Sequence, residues 1–103
     1  MDKKAKITPK AIDLEQAVLG AMLVDSKAVD ETMEMSMSCK VFYEPKHQYI
    51  FEAIEGIYLR NEGVDLLTVS HELKSKGTFE SVGGDYYLID LSTKVSSGAH
   101  QEF

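Results

Sequence analysis

Three histidines, one cysteine and scattered carboxylates are the residues of this sequence that could take part in chemistry. His47, His71 and His100 are too far apart for the spacing of a helical metal-binding pair. Cys39 is the single cysteine, which excludes an internal disulfide and a zinc site built from several thiolates. His47 and Glu52 could form a general acid–base pair, but such a site also needs a second group and a pocket. We therefore interpret His47 as a half-buried histidine with satisfied ring nitrogens.

The sequence predicts no catalytic residue, no cofactor-binding residue and no metal ligand. It contains neither a Gly-x-x-x-x-Gly-Lys-Ser/Thr phosphate loop nor a Gly-x-Gly-x-x-Gly motif, and a helix break explains the pair Gly83 and Gly84. A small hydrolase that uses His47 with a carboxylate stays an alternative, and turnover abolished by His47→Ala would support it.

The charge balance bears on nucleic-acid binding. The net charge is −6, whereas phosphate binding depends on clustered lysine and arginine. Four lysines of the first ten residues form the one basic cluster, which we interpret as part of a solvated tail. A small helical nucleic-acid-binding domain is therefore an alternative that the charge opposes.

Residues 43–61 carry the widest helical apolar pattern of the chain. At about 100° per residue, its apolar side chains cover an arc of roughly 200°. The arc contains His47, Tyr49, Ile50, Phe51, Ala53, Ile54, Ile57 and Tyr58. Pro45 suits the first turn of this helix, and Leu59 lies on its polar side. A surface helix needs a narrower stripe, so we expect other helices to cover this one on more than one side.

The flanking segments predict shorter helices. Asp13 is predicted to cap the first one, and Gln16 completes a capping-box-like pair. The predicted inward residues of this helix are Leu14, Ala17, Val18, Ala21 and Met22. Asp25 and Asp65 are predicted to cap the helices before and after the central one, and Gly77 to end the later one.

After the double glycine, the segment DYYLIDLSTKV predicts a further helix. Its predicted core-facing residues are Leu88, Leu91 and Val95. Tyr86 and Ile89 point elsewhere, so one side of this helix is a candidate contact surface. Ser96 and Ser97 are predicted to begin another capped segment.

The pattern predicts an all-α fold, a small globular bundle of five to six short helices around a central helix at about 45–61. No segment alternates strictly between apolar and polar residues, and no Asn-Gly hairpin turn occurs. A length of 103 residues suits one domain with one core. Residues 1–8 are expected to be a flexible N-terminus. Without a membrane-spanning run or a signal-peptide pattern, we expect a cytoplasmic location.

The order of motifs is more specific than any one of them. The segment DLEQAVLGAML is followed by Phe-Tyr-x-x-x-His-x-x-Ile-Phe-x-Ala, then by VDLLTV and VGGDYYL. This order resembles the N-terminal domain of the bacterial replicative DNA helicase of the DnaB type, from about Thr8 to the last residue. The matching positions are residues 15–20, 42–43, 50–51, 65–66 and 83–84, with His47, Ala53, Thr68, Leu73, Gly77 and Leu88.

The resemblance implies a function that the residues alone do not. In that family the domain forms a collar on the hexameric helicase, docks the C-terminal helicase-binding domain of primase and, in some systems, contacts a helicase loader. ATP and Mg²⁺ belong to the family's C-terminal ATPase domain, so no cofactor is expected on these residues and the fragment is expected not to be an enzyme. Little direct nucleic-acid binding and no membrane contact are expected.

The resemblance also implies a division of the chain. Residues 9–95 correspond to the globular head, and residues 96–103 to the start of the helical hairpin that pairs subunits in the family. We therefore expect the fragment to be monomeric. For partner binding we select Tyr87 and Tyr86, which follow the double glycine and compete for one buried face, and then Leu59. The alternative is that both tyrosines merely pack against helix surfaces.

Overall fold

The structure is a computed structural model that describes residues 9–35 and 38–101, with side chains for residues 11–35 and 38–94. The predicted flexible N-terminus, residues 1–8, lies outside this part. Five α-helices and one 3₁₀ turn are present in it, and no strand. They are α1 (Pro9–Val24), α2 (Ser26–Glu34), the 3₁₀ turn (Cys39–Val41), α3 (Pro45–Leu59), α4 (Leu66–Lys76) and α5 (Gly84–Gln101). The predicted all-α fold is confirmed.

Helix α3 lies at the centre of the core. It begins with Pro45 in its first turn and packs against α1, α4 and the 3₁₀ turn. Its buried residues are His47, Ile50, Phe51, Ala53, Ile54 and Ile57. The wide apolar arc therefore predicted the central helix correctly, because only a helix covered on several sides can bury side chains over so broad an arc.

Short-range capping determines where the helices around α3 begin and end. The Asp25 carboxylate accepts from the Lys27 N–H at 3.0 Å, as predicted for the start of α2. Asp65 and Thr68 form a reciprocal capping box at the start of α4. Asn61 (φ 61°) follows α3 and Gly77 (φ 77°) follows α4, both in the left-handed conformation that ends a helix.

Helix α1 differs from its prediction in both start and orientation. It begins at Pro9, so Asp13 is an exposed residue inside the helix and not its cap. Leu14 is 63% exposed, although it was predicted to face inward. Met22 is buried as predicted, and the other large buried side chains are Leu19 and Leu23. Apolar residues lie all around this helix, so the periodicity alone does not determine which side packs on α5.

Helix α5 begins at the double glycine and packs along α1 over the most extensive helix–helix contact. Gly83 (φ 99°) and Gly84 (φ 66°) adopt backbone angles that favour glycine. Leu88 and Leu91 are buried as predicted, whereas the side chain of Val95 lies outside the described part.

The predicted helix start at Ser96 is wrong, because the α5 backbone continues through it to Gln101. Serine costs only a few tenths of a kcal/mol inside a helix, so a serine pair does not by itself begin a new one. The division of the chain at residue 95 stays a prediction.

Cys39 is only half-buried, although it was predicted to be a buried small hydrophobe. Its thiol donates to a Glu52 carboxylate oxygen at 3.2 Å, and this hydrogen bond raises the pKa of the thiol. In the described part of the chain, no helix is long and apolar enough to cross a membrane.

A candidate protein-interaction surface on helix α5

The outer face of α5 carries large apolar side chains. Tyr86 is 87% exposed and Ile89 is 51% exposed. Together with Tyr87 they line an open groove of about 530 Å³. Its other lining residues are Gly83, Asp90 and Thr93. Exposed aromatic side chains of this kind are common anchors in protein interfaces.

A second groove of about 300 Å³ runs between α4 and α5. It is lined by Leu66, Leu67, Ser70, Lys74, Asp85 and Ile89. Because Ile89 lines both grooves, they form one continuous surface, which we call the α5 strip: Tyr86, Tyr87, Ile89 and Leu67. Leu67 is 74% exposed and was not selected from the sequence. Leu67 follows the inward-facing Leu66 and lies outside the inward-facing stripe of α4, and this position could have identified it in the sequence as an exposed apolar residue.

Tyr87 differs from Tyr86 because its hydroxyl group points into the molecule. The hydroxyl oxygen lies 2.6 Å from His47 Nε2 and accepts from the Gln16 amide at 3.2 Å. The Tyr87 and His47 rings stack with their centroids 5.8 Å apart. The Lys46 ammonium lies 4.1 Å from the centroid of the Tyr87 ring, within the range of a cation–π contact. Tyr87 is therefore anchored at its tip and contributes to the groove with its ring.

The second polar partner of His47 is Glu15 of α1. One of its carboxylate oxygens lies 2.7 Å from His47 Nδ1, and the carboxylate also accepts from the backbone N–H groups of Tyr43 and Glu44. His47 is fully buried, and both of its ring nitrogens have partners. The prediction of a satisfied histidine is confirmed, but His47 is fully buried and not half-buried, and its carboxylate partner is Glu15 and not Glu52.

Burial raises the pKa of the Tyr87 phenol above its usual range, and the hydrogen bond from Gln16 opposes this only in part. Tyr87 is therefore a neutral phenol at neutral pH, with an O–H group available to donate.

The remaining predicted residues lie elsewhere. Leu59 is 72% exposed at the end of α3 and lines neither groove. His71 lies on the exposed side of α4, as predicted. Across the described side chains, no group of three histidine, cysteine or acidic residues could hold a metal ion.

This chain is similar in sequence to known proteins of one family. The family described as the DnaB-like helicase N terminal domain matches residues 7–103. The replicative DNA helicase DnaB of Rhodothermus marinus is 44% identical over 95% of this chain, which corresponds to 10% of that protein. The DnaB of Geobacillus stearothermophilus is 39% identical over 95% of this chain and 21% of that protein. The chain thus spans only a small part of these relatives.

A solved structure supports the same assignment. The crystal structure of the N-terminal domain of DnaB helicase from Mycobacterium tuberculosis matches 77% of this chain and 54% of its own chain. The TM-score is 0.73 and the sequence identity is 38%. Sequence and fold agree, and the chain belongs to the DnaB-like helicase N-terminal domain family.

Proposed function

We propose that this chain is a non-catalytic protein-interaction domain of a replicative DNA helicase. It contributes to the collar of the hexamer and docks the C-terminal helicase-binding domain of primase or, in some systems, a helicase loader. The observation that supports docking is the α5 strip, which leaves Tyr86 and Ile89 exposed beside an open groove.

The composition of the α5 strip suits a protein partner. Its large side chains are apolar or aromatic, and the charged residues Asp85, Asp90 and Lys74 also line the two grooves. Interfaces between proteins combine an apolar, aromatic-rich centre with a polar rim. An exposed tyrosine also has few rotatable bonds, so ordering it on binding costs little entropy.

The enclosure of His47 supports a non-catalytic role. A histidine without exposed surface cannot touch a substrate, and its two nitrogens are already hydrogen-bonded. The small-hydrolase alternative was based on His47, and the burial of this residue argues against it. The net charge of −6 continues to oppose the nucleic-acid alternative.

Calorimetric titration with the helicase-binding domain of the cognate primase tests the proposal. This chain and a longer chain that carries the family's helical hairpin are titrated side by side. We expect both to bind, and we expect Tyr86→Ala to weaken the affinity about tenfold, as for an interface hot spot. Leu59→Ala is the control, because Leu59 is also a largely exposed apolar side chain (72%, against 87% for Tyr86) but lines neither groove.

Three other results would contradict parts of the proposal. Weakening by Leu59→Ala instead of Tyr86→Ala would move the docking surface to the end of α3. Binding by the longer chain alone would place the surface on the hairpin and leave this chain a folded support. Absence of binding by both would remove the primase assignment and leave the loader as the partner to titrate.

A further inference from the structure

A chain of part-buried side-chain hydrogen bonds links α1, α5 and α3. It leaves α1 at Gln16, passes through Tyr87 of α5 and His47 of α3, and returns to α1 at Glu15. The two ends of the path are neighbours in sequence. Side-chain hydrogen bonds thus join the three helices α1, α3 and α5, with the Tyr87–His47 pair in the middle of the chain of bonds.

The partners at both ends determine the direction of each hydrogen bond. The Glu15 carboxyl oxygens accept from two backbone N–H groups, so we assign His47 Nδ1 as a further donor to Glu15. Tyr87 accepts from the Gln16 amide, which can only donate through its nitrogen. We therefore assign the Tyr87 O–H as the donor to an unprotonated His47 Nε2, because this gives the Tyr87 hydrogen an acceptor.

This assignment makes His47 a neutral ring in its Nδ1–H form. The His47 Nδ1–H, the Tyr87 O–H and one Gln16 amide hydrogen then each have an acceptor. If Nε2 also carried a proton, the Tyr87 oxygen would face two donors, and its own hydrogen would have no acceptor among the hydrogen bonds of the described residues. The raised pKa of the Tyr87 phenol fits the same arrangement, because a neutral phenol can donate.

We propose that Glu15 and His47 are positioning residues for Tyr87: they fix the tilt of its ring in the wall of the 530 Å³ groove and thereby set the affinity of the α5 strip for the primase domain of the proposed function. Neither residue touches the partner. Glu15 holds His47 in one tautomer, that tautomer accepts from the Tyr87 hydroxyl, and the anchored hydroxyl fixes the ring.

Tyr87 needs such an anchor because of its place in the fold. It follows a double glycine at the first turn of α5, where helix ends have the fewest backbone hydrogen bonds. Its neighbour Tyr86 is exposed and has no partner of this kind among the described hydrogen bonds. A groove wall built from an anchored ring is pre-organised, which lowers the cost of binding.

The affinity claim rests on the proposed docking function, whereas the ring position is independent of it. Nitrogen-15 NMR of the free chain at neutral pH therefore comes first. We expect His47 Nδ1 in the protonated, pyrrole-like range and Nε2 in the unprotonated, pyridine-like range. A chain with the Nε2–H tautomer, or with both nitrogens protonated, would overturn the proposal.

Two variants then break the path at different places. Glu15→Gln keeps the shape of the side chain and removes its charge, and Tyr87→Phe keeps the ring and removes the hydroxyl. Both are expected to raise the flip rate of the aromatic ring at position 87 and to lower partner affinity about tenfold. Glu31→Gln, the same change at an exposed position of α2, is expected to alter neither.

The double variant separates positioning from general loosening. Because both changes act through the same ring, we expect the double variant to bind no more weakly than the weaker-binding single variant. Additive losses, or an unchanged ring-flip rate in both single variants, would overturn the proposal. If the unaltered chain binds no primase domain, the docking function fails, and the tautomer and ring-flip measurements still decide whether Glu15 and His47 position Tyr87.

Discussion

At the scale of single residues, Arg60 shows how a surface ion pair fixes the end of a central helix. Its guanidinium group donates to the Glu72 carboxylate at 2.6 and 3.2 Å and to Glu62 at 3.3 Å. The hydrogen bond from Arg60 lowers the pKa of Glu72, and burial opposes this shift. The pair therefore joins the end of α3 to α4 only while Glu72 is ionised.

The lowered pKa of Glu72 predicts a pH dependence. Since the folded-state pKa lies below its ordinary value of 4.5, the pair stabilises the fold above that pH, and its contribution is lost as the pH falls through the lowered pKa. Urea unfolding of the unaltered chain and of Glu72→Gln should give a difference in free energy that is constant near neutrality and disappears in acid. A constant difference down to strong acid, or the same pH profile in the control Glu31→Gln, would contradict this.

At the scale of helices, α1 provides the sharpest test of orientation, because the structure and the sequence pattern select different leucines. Leu19 is fully buried, whereas Leu14 is 63% exposed. Leu19→Ala is expected to lower the free energy of unfolding by about 2–5 kcal/mol, and Leu14→Ala by less than about 0.5 kcal/mol. Chemical denaturation of the two variants measures both values. A larger loss for Leu14→Ala would mean that α1 packs in the predicted orientation.

The ends of α3 and α4 allow a test of backbone conformation alone. A Cβ atom at Gly77 or at Gly63 would meet no atom within 4 Å, but only Gly77 has a positive φ. Gly77→Ala should therefore cost about 1–2 kcal/mol from left-handed strain, while Gly63→Ala should be neutral or stabilise by up to about 1 kcal/mol. Thermal unfolding of both variants checks this. Equal losses of stability in the two variants would show that the left-handed backbone conformation is not the reason for glycine at position 77.

How much of this could be predicted from the sequence depends on the range of the interaction. The caps at Asp25 and Asp65 and the central helix were predictable, because caps and a wide apolar arc are local patterns. The orientation of α1 was not, because its apolar residues surround the helix. The partner of His47 was not either, since Glu15 lies 32 residues away and only the packing of α1 on α3 brings the two together.

For the candidate site, the sequence identified Tyr86 as pointing away from the core, and the structure leaves it exposed. It did not reveal that the Tyr87 hydroxyl group is hydrogen-bonded inward while the Tyr87 ring lines the groove. A run of two tyrosines after a double glycine shows only that they compete for one buried face. Tyr87 is the one that turns inward because its hydroxyl group hydrogen-bonds to Gln16 of α1 and His47 of α3.

At the scale of the whole molecule, charge and exposed apolar surface predict the association state. A net charge of −6 opposes self-association through repulsion between copies, and a stable dimer would have to bury roughly 800 Å² on each partner. We expect this chain to be a monomer at micromolar concentration, as measured by light scattering. A stable dimer that Ile89→Asp dissolves would instead make the α5 strip a contact between copies.

The carboxylate of Glu15 has a further consequence for how the molecule assembles. Helix α3 begins without a side-chain cap from its own N-cap residue, Glu44, and Glu15 supplies acceptors for the Tyr43 and Glu44 amides from 28 and 29 residues away. The hydrogen bonds at the start of α3 therefore form only when α1 has packed against it. In native-state hydrogen–deuterium exchange, these two amide protons should exchange with the slow, cooperative opening of the core and not with the fast fraying of an ordinary helix end, so the first helix and the central helix form one folding unit.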